Sequence, residues 1–410
     1  MRSMWKKIFN TISTRYAIAI LNLLLIVVNA KVLGAEGVGL IGLIIASINL
    51  SVVVCSLLCG NTIVYFLPRV PLRLILIPAY LWAFIGAFFA SIGLWLTGMM
   101  PKDYSFVVFS LAALQALVAT NARYLLGINS IKAFNLTFFL QGGLLCPLLL
   151  FFYYLLKWQN VEAYILSLFI ANTCAWIGSS LFAWRAAKHI KPIHSSRSPL
   201  SLISEIFRYG LWASADNLAE TFTTRINYFL LQRQIGLSAV GLLDAGTRIS
   251  ESVWHISRSI SFIAYGEVAR SDEVPQQRKV TKQLLGFTFI LLTLVMAGIA
   301  ALPEALFTHY LLNQSFIGIR PIIWALSPGI IALGTNSILS HYFIGTGRVK
   351  ISALCSFIGL FSITVVGFYF IPLYGTLGAA LSSSIAFCTM FLFSLFVFSF
   401  EHKNKANKIS

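Results

Sequence analysis

Along its 410 residues the chain lays down one apolar run after another, each of about the 20 residues an α-helix needs to cross roughly 30 Å of hydrocarbon. Twelve such stretches can be marked, at 12–32, 39–60, 75–98, 105–122, 133–156, 163–184, 208–232, 239–262, 283–302, 321–342, 351–371 and 376–399. Their connections are mostly short, with 185–207 and 266–283 among the longer ones. A fold surrounded by water cannot hide this much apolar surface. The chain is 58% hydrophobic and 10% charged, against roughly 45–50% and about 25% for a soluble domain, and its mean hydropathy is +0.84. A disordered chain, a disulfide scaffold and an ordinary soluble enzyme are excluded together. Lipid as solvent demands that every backbone polar group be satisfied internally. The expected class is therefore an all-α integral membrane protein with twelve transmembrane helices. The basic start MRSMWKKIFNTISTRY reads as the flank of the first of them, because the apolar run behind it reaches Val32 without a small-residue cleavage site.

The net charge is +17, from 30 Lys and Arg against 13 Asp and Glu. In a soluble chain that balance would suggest nucleic acid; in a membrane chain it first sets orientation. With the N-terminus inside, the even connections and both termini collect most of the cations, among them Arg69, Arg73, Arg123, Lys132, Arg185, Lys188, Lys191, Arg197, Arg278, Lys279, Lys282, Arg348 and Lys350. The outer segments hold only Lys31, Lys102, Lys157, Arg233 and Arg320. Both termini are expected in the cytoplasm, and no nucleic-acid partner is expected.

The chain also repeats itself. KVLGAEGVGLIGL from Lys31 aligns with RQIGLSAVGLLDA from Arg233 at an offset close to half the chain, and each copy follows the first helix of its half. An even number of helices per half makes the halves run in the same direction, as in transporters with parallel repeats. The expected organisation is an N-lobe at 1–190, a cytoplasmic linker at 191–207 and a C-lobe at 208–410, with two six-helix lobes around a central cavity.

Charges at membrane depth cost roughly 2.5–3.5 kcal/mol each on insertion scales and usually mark function. Here they gather in the seventh and eighth helices. At about 100° per residue, Asp216, Asn217, Glu220, Thr221, Thr224, Arg225 and Asn227 fall on one side of the seventh. On the eighth, Asp244, Arg248, Glu251, Ser252, His255, Arg258 and Ser259 recur at steps of three and four and alternate in sign. Antiparallel depth matching puts Arg225 near Asp244, Glu220 near Arg248 and Glu251, and Asp216 near His255. Two readings stay open. The charges form a structural ion-pair ladder, or they line a pathway in which arginines hold an anionic group and a carboxylate or His255 carries a proton. The face is of mixed sign, so it does not by itself require an anionic substrate.

The six cysteines lie inside apolar runs without CxxC or metal-ligand spacing, and read as small buried hydrophobes. No metal is expected. In IPLYGTLGAALSS from Ile371, Pro372 and Gly375 mark an outer turn, and Gly378, Ala379, Ala380 and Ser382 a close helix contact.

Three segments resemble the polysaccharide flippases of the O-antigen type, within the multidrug/oligosaccharidyl-lipid/polysaccharide (MOP) exporter superfamily. They are Leu33-Gly34-Ala35-Glu36-Gly37-Val38-Gly39, Leu237-Ser238-Ala239-Val240-Gly241 and Pro372-Leu373-Tyr374-Gly375-Thr376-Leu377-Gly378-Ala379-Ala380. The resemblance implies a MATE-like fold in the bacterial inner membrane. It also implies translocation of an undecaprenyl-diphosphate-linked oligosaccharide from the cytoplasmic to the periplasmic leaflet by alternating access, driven by a proton or sodium gradient with no other cofactor. It makes Arg225, Arg248 and Arg258, with Arg15 and Lys31 at the ends of the first helix, the candidates for the diphosphate. The implied partners are the lipid-linked oligosaccharide, membrane lipids and polysaccharide polymerase or assembly proteins. A cation-coupled drug or metabolite antiporter of the same superfamily is the nearest alternative. A membrane-embedded enzyme of glycan assembly is a more distant one, since it would need a sizeable loop at the membrane face.

Overall fold

A computed structural model describes residues 2–67, 70–187, 199–270, 273–346 and 348–406. Among them the secondary structure is helical throughout. The long helices are α1 (Arg2–Cys59), α3 (Leu72–Leu96), α4 (Ser105–Gly127), α7 (Val161–Ala187), α8 (Pro199–Gln234), α9 (Leu237–Arg270), α10 (Val274–Ala301), α11 (Ile319–Gly345) and α12 (Val349–Ala406), with shorter α2 (Asn61–Phe66), α5 (Ile131–Gly143) and α6 (Leu145–Leu150). The expected stretch at 133–156 is α5 and α6 followed by a π-helical turn at Phe151–Leu155.

Eight helical stretches among the described residues are long and apolar enough to cross a membrane. Two of them, Ile20–Phe66 and Lys350–Phe400, run to 47 and 51 residues, far beyond one crossing. Inside α1 and α12 the helix is broken at Gly34 (φ 66°) and Gly375 (φ 58°), where the left-handed backbone favours a residue without a Cβ. The sequence marks the same places as the outer turns after the first and eleventh spans. Helices α8 and α9 have 36 and 34 residues, enough length to cross, but their charges keep them out of the apolar set.

The chain packs as two compact units. The first comprises 1–33 and 40–221, the second 34–39 and 222–410, so the boundary falls inside α8, between Thr221 and Phe222. Of the expected linker, 191–198 lies outside the described residues and 199–207 forms the opening turns of α8.

Within the first unit the thiols of Cys55 and Cys59, a turn apart on α1, point at the Ala83 and Ala79 carbonyls of α3 at 3.7 and 3.2 Å. Those cysteines are small buried groups, as their sequence context indicates, and they also act as weak donors. Asn121 of α4 is fully buried; it accepts from the Tyr80 hydroxyl at 2.5 Å and donates to Ser179 and Ser180 of α7. Asn29 accepts from Tyr153, and Gln141 donates to Asn172. These amides are therefore paired across helices, which is how they persist in an apolar interior.

Within the second unit the two copies of the repeated motif meet. A Cβ on Gly39 would stand 1.9 Å from the Leu237 carbonyl oxygen, and one on Gly241 would stand 1.8 Å from that of Ala35. The partners exchange places under the repeat, so the two segments cross with local twofold symmetry at their glycines. Only glycine permits backbones this close. The amide of Ala35, first after the break at Gly34, donates to the Ser315 hydroxyl at 2.9 Å. Gly34 has no side chain to cap that helix start, and Ser315 supplies the cap from 280 residues away. In α12, Gly378 approaches the Phe370 carbonyl, and Ala379, Ala380 and Ser382 are fully buried, the close contact expected from IPLYGTLGAALSS.

Candidate functional site

Four charged residues of α8 and α9, with Tyr228 between them, assemble into one connected network in the second unit. Arg225 Nη2 lies 3.2 Å from Glu251 Oε2. Its Nη1 donates to the Tyr228 hydroxyl at 3.1 Å, and its guanidinium sits 5.4 Å from the Tyr228 ring centre. Tyr228 in turn donates to Asp244 at 3.1 Å, and the same carboxylate accepts from Arg248 Nε at 2.9 Å. The chain of contacts runs Glu251, Arg225, Tyr228, Asp244, Arg248. Among these contacts two arginines face two carboxylates.

Burial explains why the pairing must be this complete. Tyr228 and Asp244 are 2% and 3% exposed, and the Arg225 and Glu251 side chains only 21% and 14%. An ion this far from water is tolerated when its hydrogen-bonding capacity is filled. Charge-assisted bonds contribute roughly 1.5–3 kcal/mol each.

Sequence spacing put Arg225 beside Asp244; the structure places Tyr228 between them and pairs Arg225 with Glu251 directly. Tyr228 was absent from the sequence candidates, although it stands one turn after Arg225 on α8 and was legible there as a same-face neighbour. Asn227 faces α12: its amide donates to the Ala379 carbonyl and to the Ser382 and Ser383 hydroxyls at 2.8–2.9 Å, where it holds two helices together. Asn217 is exposed and Glu220 half-buried on the part of α8 that belongs to the first unit. Lys31 is exposed just before the Gly34 break. The side chains of Arg15, Asp216 and His255 lie outside the described residues, so their proposed roles have no geometry to report.

Arg258 differs from the other two arginines. It is exposed and, among the described residues, touches no carboxylate; its guanidinium lies over the Trp254 ring at 4.7 Å. Among the described residues the buried Trp254 indole N–H has no acceptor. His341 of α11, which spacing arguments on α8 and α9 cannot reach, lies within electrostatic range of Arg258. Its Nδ1 is 2.7 Å from the Ser337 carbonyl, an acceptor only, so that nitrogen carries a proton. Among the described residues no cluster of His, Cys, Asp or Glu has the arrangement of a metal site.

Residues 146–321 match the family model described as polysaccharide biosynthesis protein, a stretch that contains all of α8 and α9 and hence the whole charged network. A search of curated proteins by sequence returns no match. Solved structures are similar along nearly the full length. A multidrug resistance MATE family transporter of the MOP superfamily, in its inward-facing conformation, superposes with a TM-score of 0.70 at 15% identity, over 96% of each chain. The lipid II flippase MurJ gives a TM-score of 0.71 at 14% identity, over 94% of this chain and 86% of its own. The Vibrio cholerae MATE transporter VcmN gives 0.58 at 12% identity, over 98% of both. At these identities the likeness concerns the fold.

Proposed function

We propose that this chain, a multi-pass membrane protein with the fold of the MOP superfamily, is a flippase that moves a diphosphate-linked lipid oligosaccharide from the inner to the outer leaflet of a bacterial cytoplasmic membrane. The observation that carries the reading is the match to a polysaccharide biosynthesis family across the segment that contains the charged network. A fold shared with a lipid II flippase supports it. Translocation is powered by a proton or sodium gradient in this reading, and no further cofactor takes part.

The network divides the work among the arginines. Arg225 and Arg248 already face carboxylates, and an anion drawn to either must displace Glu251 or Asp244. Among the described residues Arg258 touches no carboxylate, and its stacking on Trp254 fixes the planar fork that suits bidentate phosphate contact. Arg258 is thus the first phosphate contact. The Arg225–Glu251 and Asp244–Arg248 pairs are the exchangeable ones, opening when charge enters and closing when it leaves. A carboxylate released from its arginine becomes the group that takes up the coupling proton.

Reconstitution tests the proposal. Purified protein in liposomes should carry a fluorescent polyprenyl-diphosphate oligosaccharide to the far leaflet under an imposed gradient. Loss of one charge-assisted contact worth about 2–3 kcal/mol should slow Arg258→Ala about 30- to 100-fold. Cation-coupled efflux of a dye with no lipid-linked sugar transport would replace the flippase reading with that of a MATE-type antiporter, which the same fold accommodates.

A further inference from the structure

We propose that the N-terminal end of α10 is a binding site for anionic phospholipid, with the head-group phosphate on Arg278, Lys279 and Lys282 and an acyl chain in the notch at Gly286. This site lies outside the charged network of α8 and α9 and does not depend on the flippase reading.

Of the eight apolar stretches α10 is the least covered, with 17% of its hydrophobic window buried, against 33% or more for the others. It therefore presents the largest share of its surface to lipid. Its sequence contains no Asp or Glu over 28 residues, and its cations stand together at one end. At 100° per residue Arg278, Lys279 and Lys282 fall on the same side, and Gly286, Phe289, Ile290 and Thr293 continue that stripe toward the far end. Lys279, Lys282, Phe289 and Ile290 are all exposed. A Cβ built on Gly286 would meet no atom within 4 Å. The helix thus offers charge at head-group depth, and one to two turns below it a gap flanked by an aromatic and a branched side chain. That order, phosphate first and hydrocarbon second, is the order of a phospholipid.

Arg278 is held ready for the task. Its Nη2 donates to the Phe398 carbonyl of α12, and its guanidinium lies 4.7 Å from the Phe398 ring centre. Phe398 is itself fixed in a cluster with Leu339, Tyr342 and Phe343. Among the described residues the buried Arg278 Nε proton has no acceptor. Pinning the guanidinium removes the rotamer entropy that a free arginine would lose on gripping a phosphate. The two lysines add long-range attraction, worth about tenfold or somewhat less apiece near a charged leaflet.

The test uses full-length protein in mixed micelles doped with phosphatidylglycerol or phosphatidylcholine, with bound lipid counted by native mass spectrometry. Phosphatidylglycerol should be retained preferentially, and Lys279→Gln with Lys282→Gln should lower its apparent affinity about 30-fold. Filling the notch with Gly286→Phe should weaken phosphatidylglycerol while leaving the binding of inorganic phosphate unchanged. Equal retention of the two lipids, or a double variant as good as the parent, overturns the proposal. So does inorganic phosphate competing at the affinity of the lipid, because it reduces the site to an ion contact without an acyl slot.

Discussion

Replacing Gly39 by alanine tests the crossing of the repeated motifs. The new Cβ would stand 1.9 Å from the Leu237 carbonyl oxygen, about 1.5 Å short of ordinary contact, and the obstructing atom is backbone that no rotamer change can move aside. The two segments must therefore part. A gap of 0.5–1 Å already forfeits a quarter to a half of the dispersion attraction across it, and the interface is lined by the buried Ala35, Val38 and Val240. Overpacking in a core costs about 1–3 kcal/mol, occasionally more. The clash here is at the severe end, so about 3 kcal/mol is expected, offset by up to about 1 kcal/mol from the better helix propensity of alanine. Gly241→Ala meets the Ala35 carbonyl in the mirror arrangement at 1.8 Å and should cost the same. The pair should be strongly non-additive, because segments already pushed apart by one methyl have room for the other. Gly286→Ala and Gly298→Ala on α10 are the controls, with no atom within 4 Å, and should be neutral or stabilising by up to about 1 kcal/mol. Reversible unfolding in mixed micelles measures all five proteins. Additive losses in the double variant, or a Gly39→Ala as harmless as Gly286→Ala, would refute the crossing.

Further predictions concern polar contacts. Tyr228→Phe removes the bridge between Arg225 and Asp244 while preserving the ring; with two buried charged groups losing a partner it should destabilise the protein by about 2–3 kcal/mol in the same unfolding assay. Glu251→Gln leaves Arg225 without its counter-ion and should cost about 3 kcal/mol, and transport should be lost while the protein still inserts, as judged by membrane fractionation and by complementation of a flippase-deficient strain. The double change Glu251→Gln with Arg225→Gln should regain part of that stability without regaining transport. Ser315→Ala uncaps the helix that starts at Ala35 and should cost about 1 kcal/mol, with Ser315→Thr close to the parent.

The helical plan was legible because lipid imposes it. A run of 20 apolar residues has few alternatives in a bilayer, and Gly34 and Gly375 announced their breaks through the company of Gly37, Gly39 and Pro372. The charged stripe on α9 was legible for the same reason, since periodicity of three and four needs only one helix. Partner choice was not. Whether Arg225 meets Asp244 or Glu251 depends on the rotation of α8 against α9, a matter of a fraction of a turn that spacing leaves undetermined. Tyr228 shares a face with Arg225, but a tyrosine in an apolar run looks like core until its hydroxyl is seen between two charges. Asn227 looked like part of the charged face because a wheel has no third helix; α12 supplies one, and the amide turns to it. Ser315 could not have been found at all, since nothing local ties it to a helix start 280 residues earlier.

The charge arithmetic bears on what the site can recognise. The whole chain carries +17, yet among the described contacts of α8 and α9 Arg225 is matched with Glu251 and Arg248 with Asp244. Had the cluster evolved only to attract an anion, the acids would be a handicap, since each must be displaced before its arginine is available. A closed ladder serves a different need: it lets the helices exist in the bilayer with no ligand present, at little net charge. On the proposed reading an anionic ligand gains less from the field of the site than from Arg258, which touches no carboxylate among the described residues, and from the exchange it sets off in the pairs beyond it. On this view binding is weak until the pairs open. That property suits a transporter, which must release its cargo on the far side, and it predicts that removing an acid would strengthen binding while stopping turnover. Asp244→Asn should therefore retain the lipid-linked diphosphate more tightly than the parent in detergent and carry it more slowly in liposomes. Weaker binding by that variant would return the ladder to a purely structural role.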